Sequence, residues 1–158
     1  MLYNENKLKL MDIALNEAKK AYSIGEVPVG AIIVKDNKII SKSHNKIQTK
    51  SSILYHAEIV AIDKAIKKLG SKYLFDCELY VTLEPCPMCA GAILFSKIKK
   101  VYISTKDPKS GYAGSIHNTL NNDKLNHRCD VEYGLRETES SILLKTFFKE
   151  LRNSKKNN

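Results

Sequence analysis

Apolar residues fall along this chain in two patterns, steps of three and four and short continuous runs. In residues 5–24, Leu8, Met11, Leu15, Ala18 and Tyr22 recur at steps of three and four, which marks one apolar face of a helix. Gly25 follows, and glycine readily takes the left-handed backbone that ends helices. Val27 to Val34 is a continuous apolar run rich in β-branched residues. It predicts a buried strand, with Pro28 at its start where no ladder bond is lost. Asp36-Asn37 is turn chemistry, and Lys38-Ile39-Ile40 opens a partner strand, so a hairpin is predicted.

The same reading continues downstream. Residues 56–69 predict a helix with Ile59, Ile62, Ile66 and Leu69 on one stripe and Gly70 after it. Strands are predicted at 79–83, 101–104 and 129–133, with a short apolar helix from Pro87 to Phe95. Two strands separated by about a dozen helical residues imply a crossover and a parallel pair. Residues 105–127 read as loop. A terminal helix covers 135–152 with Leu135, Ile142, Leu143, Phe147 and Leu151 toward the core, and 153–158 form a polar, frayed tail. This order predicts a single domain over residues 1–158, a three-layer α/β/α sandwich around a mixed five-stranded sheet.

Composition narrows the setting. No apolar run approaches the ~20 residues that cross a bilayer. Met1 to Lys7 lack a charged stretch leading into an apolar one, so a cytoplasmic chain is expected. The formal net charge is +9, which favours polyanionic partners such as nucleic acid. However, 23 of the 26 basic residues are Lys in an Asn-rich chain, a pattern that compositional bias also produces, so charge alone does not decide. Of the 4 cysteines, Cys86 and Cys89 are clustered, which in a cytosolic chain points to metal or catalysis rather than disulfides. Cys77 and Cys129 stand apart and read as small buried hydrophobes.

Chemistry concentrates in two segments. His56-Ala57-Glu58 opens one predicted helix and Pro85-Cys86-Pro87-Met88-Cys89 opens the next. Cysteines three apart share one side of a helical turn. Pro87 suits the first helical position and leaves Cys86 near the N-cap, where the helix dipole favours thiolate, the zinc-binding form. One His and two Cys make a three-ligand site with an open position, the form of catalytic zinc. Glu58, two residues from His56, is badly placed as a fourth ligand and well placed to carry protons for a water at that position. Such equipment suits hydrolytic removal of an amino group from a heterocycle.

This H-x-E…P-C-x-x-C pattern is the known signature of zinc nucleobase deaminases. Over roughly residues 5–152 the chain resembles the bacterial-type tRNA adenosine deaminases of the cytidine deaminase-like superfamily. The resemblance lies in Gly25-Glu26-Val27-Pro28-Val29-Gly30-Ala31, His56-Ala57-Glu58-Ile59, Leu79 to Gly91, Asp107-Pro108-Lys109-Ser110-Gly111, Asn126-His127-Arg128 and Phe147-Phe148-Lys149. It implies a cytidine deaminase-like fold, a homodimer and one Zn2+ per subunit on His56, Cys86 and Cys89, with Glu58 catalytic. It further implies a tRNA anticodon stem-loop as substrate, its wobble adenosine flipped into the pocket and converted to inosine. By the same resemblance Asn45 hydrogen-bonds the base, the backbone of Ala57 lies against it, Val27 forms the pocket wall, and Phe147 and Phe148 lie near the RNA-facing side. The chain departs from the family at Ser51-Ser52-Ile53-Leu54-Tyr55, where a Thr-Ala pair, often after Pro, is usual, and at His44-Asn45-Lys46. Two other readings stand beside this one: a free nucleobase or nucleoside deaminase of the same fold, acting on guanine or cytosine, and a non-catalytic zinc module. The last would need a fourth Cys or His ligand and would leave Glu58 idle.

Overall fold

Helix α1 (Glu5–Ser23) runs into strand β1 (Gly30–Lys35), which turns back as β2 (Lys38–His44). A one-turn helix α2 (Ile47–Lys50) leads to α3 (Ala57–Leu69), β3 (Cys77–Leu83), α4 (Pro87–Phe95) and β4 (Lys100–Thr105). The chain closes with β5 (Asp130–Tyr133) and α5 (Glu137–Lys156). These elements belong to a computed structural model that describes residues 4–158. Met1–Tyr3, part of the opening Met1–Lys7 stretch, lie outside the described residues. Among the described residues no helix is long and apolar enough to cross a membrane.

The sheet order is β2-β1-β3-β4-β5, antiparallel across β2-β1-β3 and parallel across β3-β4-β5. This is the mixed five-stranded sheet expected from the sequence. The hairpin forms because Asp36 and Asn37 both take positive φ, 48° and 59°, the twist that suits a two-residue connection. Alternation along the central strands sends Ala31, Ile33, Leu79, Val81, Val101 and Ile103 into one core, shared with α3 and α4. Ile32, Val34, Tyr80 and Tyr102 enter the other, beneath α1. The rings of Tyr80 and Tyr102 stack at 4.4 Å. α5 lies on the α1 side: the Ser140 hydroxyl donates to the Thr82 carbonyl at 2.6 Å, and that of Ser104 to the Arg136 carbonyl at 2.9 Å.

Several apolar stripes sit differently from their sequence pattern. On α3 the residues with no exposure are Ala57, Ala61 and Ala65, while Ile59, Ile66 and Leu69 are half-buried. Small side chains let the helix axis approach the sheet, and the larger ones flank the contact. On α5 the buried residues are Ser140, Leu144 and Phe147; Ile142 and Leu151 are exposed at 59% and 39%. The first strand begins at Gly30 rather than Val27, and α5 continues to Lys156.

Gly30 shows how tightly α1 crosses β1. A Cβ there would lie 1.9 Å from the Ala14 carbonyl oxygen and 2.6 Å from the Ala18 nitrogen, both backbone atoms that no rotamer change can move. Gly30→Ala is therefore expected to cost about 1–3 kcal/mol through overpacking, seen as a lowered Tm. An unchanged thermal melt would contradict the close approach of α1 to β1.

Candidate active site

Two helix N-termini converge at one end of the α3/α4 layer. His56 is the N-cap of α3, and its carbonyl accepts from Val60 at 3.1 Å. Cys86 is the N-cap of α4, with Pro87 in the first helical position and the Cys86 carbonyl accepting from Ala90 at 2.8 Å. α3 is pinned to β2 by the Ser43 hydroxyl on the Ala57 carbonyl at 2.5 Å and the Ser41 hydroxyl on the Ala61 carbonyl at 2.7 Å. In consequence His56 Nδ1 lies 3.6 Å from Cys86 Sγ and 3.4 Å from Cys89 Sγ. The ligand atoms of these three residues all fall within 4.8 Å of one another, a group able to hold a metal ion.

The remaining Cys and His residues stay out of this cluster. Cys77 and Cys129 are buried, and the Cys129 thiol donates to the Ile98 carbonyl at 2.9 Å. His44 pairs through Nδ1 with Glu17 at 3.0 Å, and His127 Nε2 meets the Ile98 carbonyl at 2.8 Å. His117 packs its ring on Tyr112 at 5.6 Å.

His56 and Cys86 of this cluster line a cavity of about 220 Å3, with Cys89 buried behind them. Sites for drug-sized ligands run ~300–1,000 Å3, so this one admits a single small group such as one heterocycle. Its walls include Val27, Asn45, Ala57 and Glu58, together with Ile47, Leu83, Glu84, Asp107 and Ser110. Phe147 lies outside this cavity. It is 8% exposed, packs edge-on against Tyr22, and lines an adjoining groove with Glu26, Val27, Asn45, Ile47, Gln48 and Lys155. Phe148, by contrast, is 40% exposed, so of the adjacent pair one is core and the other available. A second groove runs along Asp107, Lys109, Ser110, Lys145, Phe148 and Arg152.

Asn45 is nearly buried; its side-chain nitrogen donates to the Val27 carbonyl at 3.3 Å and its oxygen accepts from the Ile47 nitrogen at 3.3 Å. Two further carboxylates brace the walls. Glu26 has no exposure and accepts from the Thr49 nitrogen and hydroxyl at 2.6 and 3.1 Å through Oε1, which holds the α2 segment over the cavity; its Oε2 has no partner. Glu84, 2% exposed, accepts from the backbone of Asp107, Ala113 and Ser115 and from the Ser115 hydroxyl.

Burial and hydrogen bonding set distinct charge states. Cys86 is lowered to about 4 by the hydrogen bond from the Cys89 thiol, against the effect of burial and with help from His56. His56 is raised by its hydrogen bond with Cys86. Cys89 is pushed up by that shared bond with Cys86 and by burial, so the two sulfurs hold one proton between them. Coordination of a dication would displace that proton. Glu58 is raised by burial among its neighbours. At Glu84 burial also acts upward, but the donors from Ser115, Asp107 and Ala113 overcome it and hold the carboxyl below its ordinary value.

These charge states predict an order of thiol reactivity. In chelator-treated protein Cys86 is expected to react first with iodoacetamide, while Cys77 and Cys129, buried and with raised thiol pKa values, react only on unfolding. Peptide mapping by mass spectrometry reads the order, and equal labelling of all four would contradict it.

Comparison with known proteins gives these observations a family. Residues 5–152 match the MafB19-like deaminase family. A tRNA-specific adenosine deaminase from Aquifex aeolicus (strain VF5) is 51% identical over 91% of this chain and 95% of its own length. A structure from biochemical and structural studies of A-to-I editing by tRNA:A34 deaminases at the wobble position superposes with a TM-score of 0.83 at 40% identity, over 86% of this chain and 99% of that one. The guanine deaminase of Bacillus subtilis is more distant, with a TM-score of 0.61 and 33% identity over 96% of this chain and 95% of that one. The chain belongs to the MafB19-like deaminase family and groups with its tRNA-specific adenosine deaminase relatives.

Proposed function

We propose that this protein hydrolytically deaminates adenosine to inosine at the wobble position of a tRNA anticodon, with zinc on His56, Cys86 and Cys89 and Glu58 as proton carrier. The observation that carries this reading is the joint presence of a His/Cys/Cys cluster and buried Glu58 at a cavity sized for one base, lined by His56, Cys86 and Glu58. The likeness to tRNA-specific deaminases at 40% and 51% identity, against 33% for a guanine deaminase, favours the tRNA base over a free one.

The donor set fits zinc. One imidazole nitrogen and two sulfurs suit a borderline-soft ion rather than the oxygen-seeking Mg2+ or Ca2+, and three protein donors leave a position open. When bound, zinc supplies Lewis acidity that brings the pKa of water from near 16 towards ~7. Glu58, raised by burial above the ordinary carboxylate range, is suited to both accept and release a proton. It takes a proton from the attacking water and delivers it to the ring nitrogen N1, then supports protonation of the departing amino group. The C6–O bond forms, the C6–N bond breaks and ammonia leaves. Asn45 offers its amide to the base edge, the backbone of Ala57 lies against the base, and Val27 closes the wall.

The surroundings suit RNA. Lys109, Lys145 and Arg152 line the groove beside the cavity, where flanking phosphates are neutralised, and Phe148 presents a ring there. Phe147 and Lys155 line the adjoining groove beyond Val27 and Asn45. An anticodon loop already presents unpaired bases, so flipping one into the cavity costs little. The same reading carries a homodimer with one zinc per subunit and a cytoplasmic setting.

Glu58→Ala is expected to keep one zinc per chain by elemental analysis and lose ~10²–10⁴-fold in turnover. Activity within a few-fold of the parent would remove Glu58 from the proton path. In competition assays an anticodon stem-loop is expected to be deaminated in preference to free adenosine, guanine and cytosine, because only the stem-loop engages the basic grooves. Efficient turnover of a free base with none of the stem-loop would replace this reading with a free-nucleobase deaminase.

A further inference from the structure

Between β3 and the cysteines of α4 stands one residue whose chemistry the reaction does not use. Glu84 follows Leu83, the last residue of β3, and precedes Pro85-Cys86. It is 2% exposed, and its carboxylate oxygens are taken up by the loop of residues 107–115. Oε1 accepts from the Ala113 nitrogen at 3.1 Å and the Ser115 nitrogen at 2.9 Å. Oε2 accepts from the Asp107 nitrogen at 2.9 Å and from the Ser115 hydroxyl. Four donors from three residues of one loop therefore end on one buried carboxylate. Its own backbone is tied to the same region, with the Glu84 nitrogen donating to the Thr105 carbonyl at 2.9 Å and the Tyr112 nitrogen to the Pro85 carbonyl at 2.9 Å.

The fit around this carboxylate is tight. A Cβ on Gly111 would lie 2.3 Å from Glu84 Cδ and Oε2 and 2.5 Å from the Asp107 carbonyl oxygen. Relief by rotating Glu84 away would break the four hydrogen bonds, so the loop descends onto the carboxylate only with glycine there. Asp107 in turn accepts from the Lys109 and Ser110 nitrogens at 3.0 and 3.2 Å, which fixes the turn that follows. Asp107 and Ser110 are cavity wall on one side, and with Lys109 they line the basic groove on the other.

We propose that Glu84 is a positioning residue for the RNA substrate: it holds the 107–115 loop as the partition between the base cavity and the basic groove, so that a nucleotide entering the cavity and its neighbours along the groove are bound in register. This rests on the tRNA reading above. The arrangement is built for an anionic acceptor. Backbone N–H groups cannot reverse polarity, so every ligand atom that faces them must accept, and only a carboxylate offers acceptors on both arms. In Glu84→Gln one arm becomes an NH2 group facing N–H donors, and the loop must withdraw from it.

Glu84→Gln is expected to raise KM for an anticodon stem-loop by roughly ten- to a hundredfold, the scale at which misplacing a binding group by about an ångström acts. Stem-loop Kd by fluorescence anisotropy should weaken in parallel, with kcat within a few-fold of the parent and zinc content unchanged. Gly111→Ala, which displaces the loop with the carboxylate intact, should reproduce the KM rise, and the double variant should be no worse than either single one because both act on one contact. Ser115→Ala, which removes one donor, should shift KM in the same direction by less, and the Ser115 and Gly111 variants carry the test if Glu84→Gln does not fold. Unchanged KM in the folded variants overturns the proposal. So does a fall in kcat that tracks loss of zinc, which would make Glu84 a support of the metal site. A parent protein with no turnover of the stem-loop sinks the tRNA reading instead, and is thereby distinguished from an active parent whose variants bind normally.

Discussion

α3 and α4 lie side by side on one face of the sheet, and the first turn of each carries part of a single cluster. His56 Nδ1 can stand 3.4 Å from Cys89 Sγ and 3.6 Å from Cys86 Sγ only if both helices begin at the same height above the sheet. That height is set by ordinary packing. Ala57, Ala61 and Ala65 bring α3 close to the strands, Ser41 and Ser43 pin its backbone to β2, and the crossover from β3 to β4 returns α4 beside it. A one-residue slip in either helix would rotate its ligand by about 100° away from the others. The catalytic chemistry thus depends on helix register, which is in turn a property of the core.

Glu58 and Glu84 line one cavity and Glu26 the adjoining groove, and these three buried glutamates are treated differently by their surroundings. Glu58 gains little hydrogen bonding against its burial, and its pKa is raised, which suits a group that must accept and give up a proton. Glu84 collects donors from a whole loop and stays ionised, which suits a fixed anchor. Glu26 spends one oxygen on Thr49 and leaves the other without a partner, while holding the α2 segment near Asn45 and Ile47. Residue type is shared; what divides the roles is how many fixed donors the fold directs at each carboxylate.

Close backbone approach is the second recurring device. Gly30 lets α1 settle on β1, and Gly111 lets the substrate-side loop settle on Glu84; at each, a methyl group would meet atoms at 2.3 Å or less. The first contact belongs to stability and the second to the shape of the site. Both glycines fall in stretches where the chain resembles its family, and the physical reason is space rather than backbone freedom.

The sequence alone determined the elements and the chemistry that depends on short spacing. Apolar steps of three and four predicted α1 and α5, short apolar runs and the Asp36-Asn37 turn predicted the β1–β2 hairpin, and two strands about a dozen helical residues apart predicted the β3-α4-β4 crossover. The spacing of Cys86 and Cys89, together with His56, pointed to the cluster, because ligands one helical turn apart share a side and Pro87 fixes where that turn begins. What tertiary structure decided was how those elements meet. Ser140 is 1% exposed and Ile142 59%, against their intrinsic preference, because the Ser140 hydroxyl has the Thr82 carbonyl to bond while Ile142 faces away from the sheet. Helix α2 has one turn and no periodicity to announce it. The wall formed by Ile47, Glu84, Asp107 and Ser110 joins segments separated by tens of residues along the chain, and no local pattern encodes that meeting. A helix or strand is written in its own neighbours, whereas a cavity wall exists only once distant loops are held together, here by buried carboxylates whose partners lie elsewhere in the sequence.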